Sequence, residues 1–178
     1  STRSTSCDRT DSSQAAGSTA GKPTGSHRCQ PLIILTWNAA NLSRGKTKEL
    51  ALLHLLTSNS VDVAVITETE LHEDATLFAL NGYYTFLPIS PLGGLTRVLI
   101  LVRADLATNA SARLAEEFMT VPGLSVWVEL TLPQRRVMIG GVYRPWRGIT
   151  AEREDLNGLF LQVKAAATGC KSLVLLGD

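Results

Sequence analysis

Short apolar runs of strand length alternate with helical patterns from residue 31 onward, and this alternation limits the possible folds more than any other feature of the sequence. Residues 32–37 (LIILTW) and 61–67 (VDVAVIT) are typical of buried strands, and residues 46–57 between them carry leucines at helical spacing. A strand, a helix and a strand at this spacing form a right-handed crossover with parallel strands. The sequence therefore predicts an α/β fold.

Further apolar runs continue this pattern to the last residue. Strands are predicted near residues 83–87, 97–103, 125–131, 135–143 and 172–177. A helix with Thr150 as its N-cap is predicted before the last strand. The apolar face of this helix comprises Leu156, Leu159, Phe160 and Val163. Because the sequence ends on Asp178, directly after a buried strand, we expect a fold that is truncated before its last strands.

The first thirty residues have a different composition from the rest. Half of residues 1–30 are Ser, Thr or Gly, and none is a large aliphatic or aromatic residue. Such a segment buries too little apolar surface to offset the entropy of ordering it. We therefore expect a disordered Ser/Thr/Gly-rich leader at residues 1–30. Residues 31–178 are long enough for one domain with a sizeable core, since 44% of the chain is hydrophobic.

The charge balance excludes a protein that binds nucleic acid through bulk positive charge. The formal net charge is +1, so contacts with phosphate groups would need a local patch. The densest group of cations consists of Arg135, Arg136, Arg144, Arg147 and Arg153. From charge alone, a solvated strand edge is the preferred interpretation of this group.

Cysteine content and hydropathy indicate where the protein acts. Cys7, Cys29 and Cys170 include no close pair typical of a metal or redox site, so we expect a reducing, intracellular compartment rather than secretion. No apolar run reaches the length of a membrane span, and the N-terminus lacks a signal-peptide core. We therefore expect no membrane partner.

Four predicted strands end on, or are followed by, a side chain that can take part in catalysis. These residues are Asn38, Glu68, Tyr143 and Asp178. Ligands gather at the carboxyl ends of strands in α/β sheets, so we expect all four residues at one edge. Two carboxylates, an amide and a phenol suit a hard divalent cation such as Mg²⁺, which binds oxygen ligands. Taken singly, each residue also has an ordinary interpretation, as a turn former, a solvated charge, a half-buried aromatic residue or a cap.

Within this set, Glu68 is the predicted metal ligand and the other three are predicted catalytic residues. Asn38 could orient Glu68 or donate to a phosphate oxygen. Tyr143 could donate to the charge that builds on phosphorus, and Asp178 could position or activate the attacking water. No His/Cys cluster indicates zinc, and no Gly-rich loop indicates nucleotide binding.

Four segments resemble, in order, motifs of the endonuclease/exonuclease/phosphatase family. TWNAANL (36–42) resembles Trp-Asn-x-x-Gly-Leu, and ITETEL (66–71) resembles the Glu-Thr motif that supplies the metal-binding glutamate. GGVYRPW (140–146) resembles the Tyr-x-Pro motif, in the Val-Tyr-Arg-Pro form typical of retrotransposon endonucleases. LVLLGD (173–178) is similar to the start of Gly-Asp-Phe-Asn. The ordered set is more specific than any single motif.

The resemblance implies a four-layer α/β sandwich, in which two mixed sheets face each other and helices lie outside. It implies phosphodiester hydrolysis that depends on Mg²⁺, with Mn²⁺ as an alternative, and it implies Asn38, Glu68, Tyr143 and Asp178 as site residues. The Val-Tyr-Arg-Pro form implies DNA nicking, in the nucleus, ahead of a reverse transcriptase domain further along the same polyprotein.

The sequence departs from the family pattern at three positions. Asn41 stands where Gly is usual, and Asn tolerates a left-handed backbone better than most residues. Glu70 adds negative charge beside the predicted metal ligand. Trp146 follows the Tyr-x-Pro motif and could stack on a base. We predict Arg144, Trp146 and Arg147 as substrate-binding residues.

Other interpretations keep the fold and change the function. The same site could belong to an abasic-site repair nuclease, or to an inositol-phosphate or phospholipid phosphodiesterase. The chain could also be a non-catalytic remnant of a decayed element, because a fold does not guarantee a function. The family's later motifs, including Ser-Asp-His, would lie beyond Asp178, so we expect this chain alone to be an inactive fragment.

Overall fold

The structure is a computed structural model that describes residues 31–42, 46–72, 78–89, 94–144 and 149–177. The predicted leader, residues 1–30, lies outside the described residues. So do three of the predicted site residues, Trp146, Arg147 and Asp178.

The described chain forms two four-stranded sheets with helices. The strands are β1 (Ile34–Asn38), β2 (Val63–Leu71), β3 (Tyr83–Phe86), β4 (Thr96–Arg103), β5 (Ser111–Leu114), β6 (Ser125–Thr131), β7 (Arg136–Val142) and β8 (Leu173–Gly177). The helices are α1 (Lys46–Ser58), α2 (Ala104–Asn109) and α3 (Ile149–Gly169), with a 3₁₀ turn at Glu116–Phe118. The sheet orders are β1–β2–β4–β3 and β5–β6–β7–β8. Each sheet is mixed, because β1–β2 and β7–β8 are parallel and the other pairs are antiparallel.

A core of branched aliphatic side chains joins the two sheets face to face. Val65 of β2 and Ile100 of β4 pack in one cluster with Val128 of β6 and Ile139 of β7, and all four are fully buried. Strands covered on both faces read as continuous apolar runs, which explains why these segments were recognisable.

Helices cover the outer faces of both sheets. Leu52 and Leu56 of α1 pack with Ile66 of β2, and Ala166 of α3 packs with Trp127 and Met138 of the second sheet. The order of layers is therefore helix, sheet, sheet, helix, and the predicted four-layer α/β sandwich is confirmed. Cys170 also packs against the α3 layer, and burial raises the pKa of its thiol. No helix within the described ranges is long and apolar enough to cross a membrane.

The structure corrects the prediction for α3 in two ways. The helix begins at Ile149, so Thr150 belongs to its first turn instead of preceding it. The predicted apolar face is wrong in part, because Phe160 is 66% exposed while Leu159 and Gln162 are buried. Gln162 is buried because its Oε1 accepts hydrogen bonds from Ser125 Oγ and Trp127 Nε1, at 2.6 and 3.2 Å. A polar contact therefore determines which face of the helix is buried, and the apolar pattern alone does not indicate that face.

Candidate active site

The two parallel strand pairs bring their carboxyl ends to one edge of the sandwich, here called the rim. Asn38 pairs with Thr67, so β1 and β2 deliver Asn38 and Glu68 side by side. In the other sheet Val142 pairs with Gly177, so β7 and β8 end together. The structure thus places Asn38 at the end of β1 and Tyr143 directly after β7. Glu68 lies inside β2, because this strand continues past its predicted end at residue 67 to Leu71, which pairs with Thr96.

The two sheets approach each other closely just below the rim. A Cβ atom on Gly141 would lie 2.9 Å from Val65 Cγ1 and 3.2 Å from Val98 Cγ2. A side chain at position 141 would therefore force β7 away from β2 and β4. Because glycine occupies this position, the end of β7, and with it Tyr143, can lie against the end of the first sheet.

Glu68 occupies a strained bulge in β2. Its φ is 51° and that of Glu70 is 52°, and the pairing of β2 with β4 shifts register between Thr67 and Leu71. Between the two glutamates, Thr69 is fully buried and its hydroxyl donates to the carbonyl of Thr96. Left-handed conformations are unfavourable for residues with a Cβ atom and cluster at functional sites. The bulge leaves both glutamates half-buried at the rim, with a buried residue anchoring them.

The two carboxylates of the bulge have different electrostatic environments. Glu70 Oε1 lies 3.5 Å from Arg97 Nε, so a cation offsets the extra negative charge that the sequence predicted beside the metal ligand. The Glu68 carboxylate has no ion pair or hydrogen bond within the described ranges. Of the two, Glu68 is therefore the carboxylate that is available to a cation.

A tight loop after β1 orients Asn38 and attaches it to the bulge. Ala40 N–H donates to Asn38 Oδ1 at 3.0 Å. Ala39 N–H donates to the carbonyl of Thr67 at 2.9 Å, and Asn41 N–H donates to that of Glu68 at 2.7 Å. The φ of Asn41 is 73°, which confirms the expected left-handed conformation where the family has Gly. Ala40 is also left-handed, with a φ of 43°, and nothing in its sequence context indicated this.

Tyr143 lies against a cation that the sequence analysis missed. The guanidinium carbon of Arg97 is 5.8 Å from the centroid of the Tyr143 ring, a distance typical of a cation–π contact. Arg97 reaches the rim because β4 runs antiparallel to β2 and therefore starts where β2 ends. The strand pattern of the sequence indicates only the carboxyl ends of strands, whereas the start of an antiparallel neighbour reaches the same edge.

The arginine patch suggested by the sequence is divided by β7. Arg135 and Arg136 lie at the start of this strand, and Arg144 follows its end. Arg136 is also within 3.6 Å of Glu129. Among the predicted substrate-binding residues, only Arg144 is described, and its side chain is exposed at the rim.

The donors at the rim fit a hard divalent cation. Magnesium is commonly held by one or two carboxylates, with water and substrate oxygens filling the remaining positions. Glu68 provides one such carboxylate, and Asn38 adds an amide beside it. Within the described residues, no group of three His, Cys, Asp or Glu side chains could hold a metal.

Solved structures of known proteins share this fold. The endonuclease domain of TRAS1, a telomere-specific non-LTR retrotransposon, matches with a TM-score of 0.58 and 18% identity, over 83% of this chain and 58% of that chain. An AP endonuclease from Archaeoglobus fulgidus matches with a TM-score of 0.55 and 17% identity, over 83% and 57%. The mannosyl-6-phosphatase Bt3783 of Bacteroides thetaiotaomicron matches with a TM-score of 0.54 and 15% identity, over 83% and 65%.

These similarities concern the fold, since the identities are low. No protein-family model and no curated protein matches the sequence. The chain spans less than two thirds of each of the three proteins, at 58%, 57% and 65% of their lengths. Proteins that share the fold include nucleases and a phosphatase, which act on phosphate esters. The chain therefore has the fold of the endonuclease/exonuclease/phosphatase family, the family that its motifs resemble.

Proposed function

We propose that the rim is the active site of a Mg²⁺-dependent phosphodiesterase that nicks DNA. This proposal rests mainly on Glu68, which lies on a strained bulge beside Asn38. Its carboxylate has no protein partner among the described residues. A solvated surface glutamate needs no left-handed backbone, whereas a metal ligand benefits from a backbone that fixes its position.

The residues of the rim have distinct proposed roles. Glu68 would hold Mg²⁺ or Mn²⁺, and the bound ion would supply Lewis-acid stabilisation of the phosphoryl oxygens. The Asn38 amide would donate to a phosphate oxygen or orient Glu68. The Tyr143 phenol would donate a hydrogen bond to a phosphoryl oxygen, on which negative charge builds up in the transition state. Asp178, which is outside the described residues, is proposed from its motif alone to position the attacking water.

DNA is the proposed substrate because of the Val-Tyr-Arg-Pro sequence at 142–145 and the similarity to a retrotransposon endonuclease domain. Arg144, with Trp146 and Arg147, would contact the substrate. The nick would provide a 3′ end, in the nucleus, for a reverse transcriptase further along the same polyprotein. A repair nuclease, an inositol or lipid phosphodiesterase and a non-catalytic remnant are the alternatives that substrate tests must separate.

The first test is plasmid nicking by a protein extended through the Ser-Asp-His motif. We expect nicking in Mg²⁺, loss of nicking in EDTA, and a loss of at least about 10²-fold in Glu68→Gln. Glu70→Gln is the matched control, two residues away on the same bulge, and should lose less than about tenfold because Arg97 already offsets its charge. The free energy of unfolding of both variants should stay within about 0.5 kcal/mol of the wild type.

Two further comparisons complete this test. The 178-residue chain alone should nick at least about 10²-fold more slowly than the extended protein, because transition-state donors of the later motifs are absent from it. Faster cleavage of an abasic-site duplex, an inositol phosphate or a phospholipid than of intact plasmid would replace the substrate that we propose. Near-normal nicking by Glu68→Gln would show that Glu68 is only a solvated charge.

A further inference from the structure

The ammonium group of Lys48 lies among three consecutive main-chain carbonyls. Lys48 Nζ donates to the carbonyl oxygen of Ala39 at 2.8 Å, to that of Asn41 at 3.0 Å, and also to that of Ala40. An ammonium group has three donors and no acceptor, so these three oxygens satisfy it completely. Neither the motifs nor the strand pattern indicated a role for this residue.

The three carbonyls converge because the loop after β1 is left-handed. Ala40 and Asn41 have φ values of 43° and 73°, and Ala gains nothing from its side chain in that conformation. Converging carbonyl dipoles repel one another unless a cation lies between them. The ammonium group therefore stabilises a main-chain shape that the local sequence disfavours.

Stabilisation of α1 does not explain the position of Lys48. The residue lies in the first turn of α1, where the helix dipole disfavours positive charge. The Lys48 ammonium group lies at the unfavourable end of the helix, and all its hydrogen bonds go to the neighbouring loop. It therefore stabilises the loop and not the helix.

The loop that Lys48 holds is the one that joins Asn38 to the bulge of β2. Its N–H groups donate to Asn38 Oδ1, to the Thr67 carbonyl and to the Glu68 carbonyl. Within the described ranges, no hydrogen bond or ion pair joins Lys48 to Asn38, Glu68 or Tyr143. The effect of Lys48 on the rim passes through the main chain of residues 39–41.

We propose that Lys48 is a positioning residue of the rim, whose ammonium group fixes the turn at residues 39–41 and thereby orients Asn38 and anchors Glu68. This inference rests on the proposed function, in which Asn38 and Glu68 belong to the active site. A lysine with only a structural role would stabilise the fold and would not change the contribution of Asn38 to catalysis.

A double-mutant cycle in the extended protein tests this role. Lys48→Met keeps the apolar stem and removes the ammonium group, and it should lower kcat about 10- to 100-fold with little change in KM, since small misplacements of a catalytic group have effects of this size. In the Asn38→Ala background, Lys48→Met should cause a clearly smaller loss than in the wild type, because one of the two groups that it positions is gone. Equal losses in both backgrounds, or an unchanged kcat, would overturn the proposal.

Two related variants show whether the loss comes from the loop contact. Lys46→Met removes an exposed lysine from the same helical turn and should leave kcat unchanged. Lys48→Arg keeps the charge but directs its donors in one plane, so it should retain only part of the activity. It also provides a folded variant if Lys48→Met does not fold.

Hydrogen exchange provides a measurement that does not depend on catalysis. The Asn41 amide donates to the Glu68 carbonyl. Its hydrogen-exchange rate should be higher in Lys48→Met than in the wild type, and it should be unchanged in Lys46→Met. An unchanged exchange rate of this amide in Lys48→Met would show that Lys48 does not fix the loop. If the wild type shows no divalent-dependent cleavage but this exchange result holds, the proposed function fails while the contact of Lys48 with the loop stands.

Discussion

Five non-glycine residues in the described part of the chain have a positive φ, and four of them lie at the rim. These four are Ala40, Asn41, Glu68 and Glu70. Each conformation of this kind costs about 1–3 kcal/mol and persists only where the surroundings enforce it. Here the surroundings are Thr69, buried between the two glutamates, and Lys48, bound to the loop carbonyls. Backbone strain therefore concentrates where the proposed chemistry takes place.

Substitution of Arg97, another residue of the rim, should change DNA binding. Its guanidinium contacts both Glu70 and the Tyr143 ring, and we expect it to donate also to a phosphate of the proposed DNA substrate. Arg97→Gln should weaken DNA binding and reduce the slope of log K against log salt concentration by about one. The slope is measured with a duplex oligonucleotide in the absence of divalent cations.

Arg135→Gln is the control for this measurement. Arg135 is exposed and lies just before β7, whereas Tyr143 follows the end of that strand. The control should keep the wild-type slope. A slope that is unchanged in Arg97→Gln, or equally reduced in both variants, would show that Arg97 makes no specific phosphate contact.

Some rim residues can be predicted from the sequence and others cannot, for a physical reason. Asn38, Glu68 and Tyr143 were identifiable because each stands directly after an apolar run of the sequence, and ligands gather at the carboxyl ends of such strands in α/β sheets. Arg97 and Lys48 were not, because one enters from the start of an antiparallel strand and the other from a helix. Such contacts depend on how elements meet in space, which neither periodicity nor motif spacing records.

Among the elements, the interface of α3 with the second sheet depends on one buried polar contact. Gln162 Oε1 accepts from both Ser125 and Trp127, and its amide nitrogen donates to Thr120 Oγ1 at 3.3 Å. The donor groups of Ser125 and Trp127 belong to fully buried residues. Buried donors that lose their acceptor destabilise a protein far more than an exposed pair would.

We therefore expect Gln162→Ala to lower the free energy of unfolding by about 2–4 kcal/mol, since two buried donors lose their shared acceptor. Urea unfolding measures the difference. Lys164→Ala, at an exposed position of the same helix, should change it by less than about 0.5 kcal/mol. A small effect of Gln162→Ala would mean that apolar contacts alone fix the helix.

Elements with continuous apolar runs were predicted closely, and weakly apolar elements were not. The strand predicted at 125–131 is β6 (Ser125–Thr131), and the one predicted at 135–143 is β7 (Arg136–Val142). Helix α2 and strand β5 were not predicted. Their segment, ADLATNASARL, has too few large apolar residues to show the periodicity of a helix or of a strand. Their conformation follows from the strands beside them.

The whole molecule repeats one arrangement in its two sheets. The crossovers β1–α1–β2 and β7–α3–β8 each contribute a parallel pair, and the two strand orders mirror each other. Strand β2 packs against both β7 and β8, so the carboxyl ends of the two pairs meet at the rim. The sequence shows no internal repeat, which indicates that the correspondence lies in topology and packing.

At the junction of the two sheets, Glu68 is the proposed protein ligand of a divalent cation. The most direct measurement is the anomalous scattering of Mn²⁺ in crystals of the extended protein grown with that ion. We predict a peak about 2 Å from a Glu68 carboxylate oxygen, and its loss in crystals of Glu68→Gln. A peak next to Glu70 instead, or no peak near Glu68 at a Mn²⁺ concentration that supports nicking, would show that Glu68 is not the metal ligand.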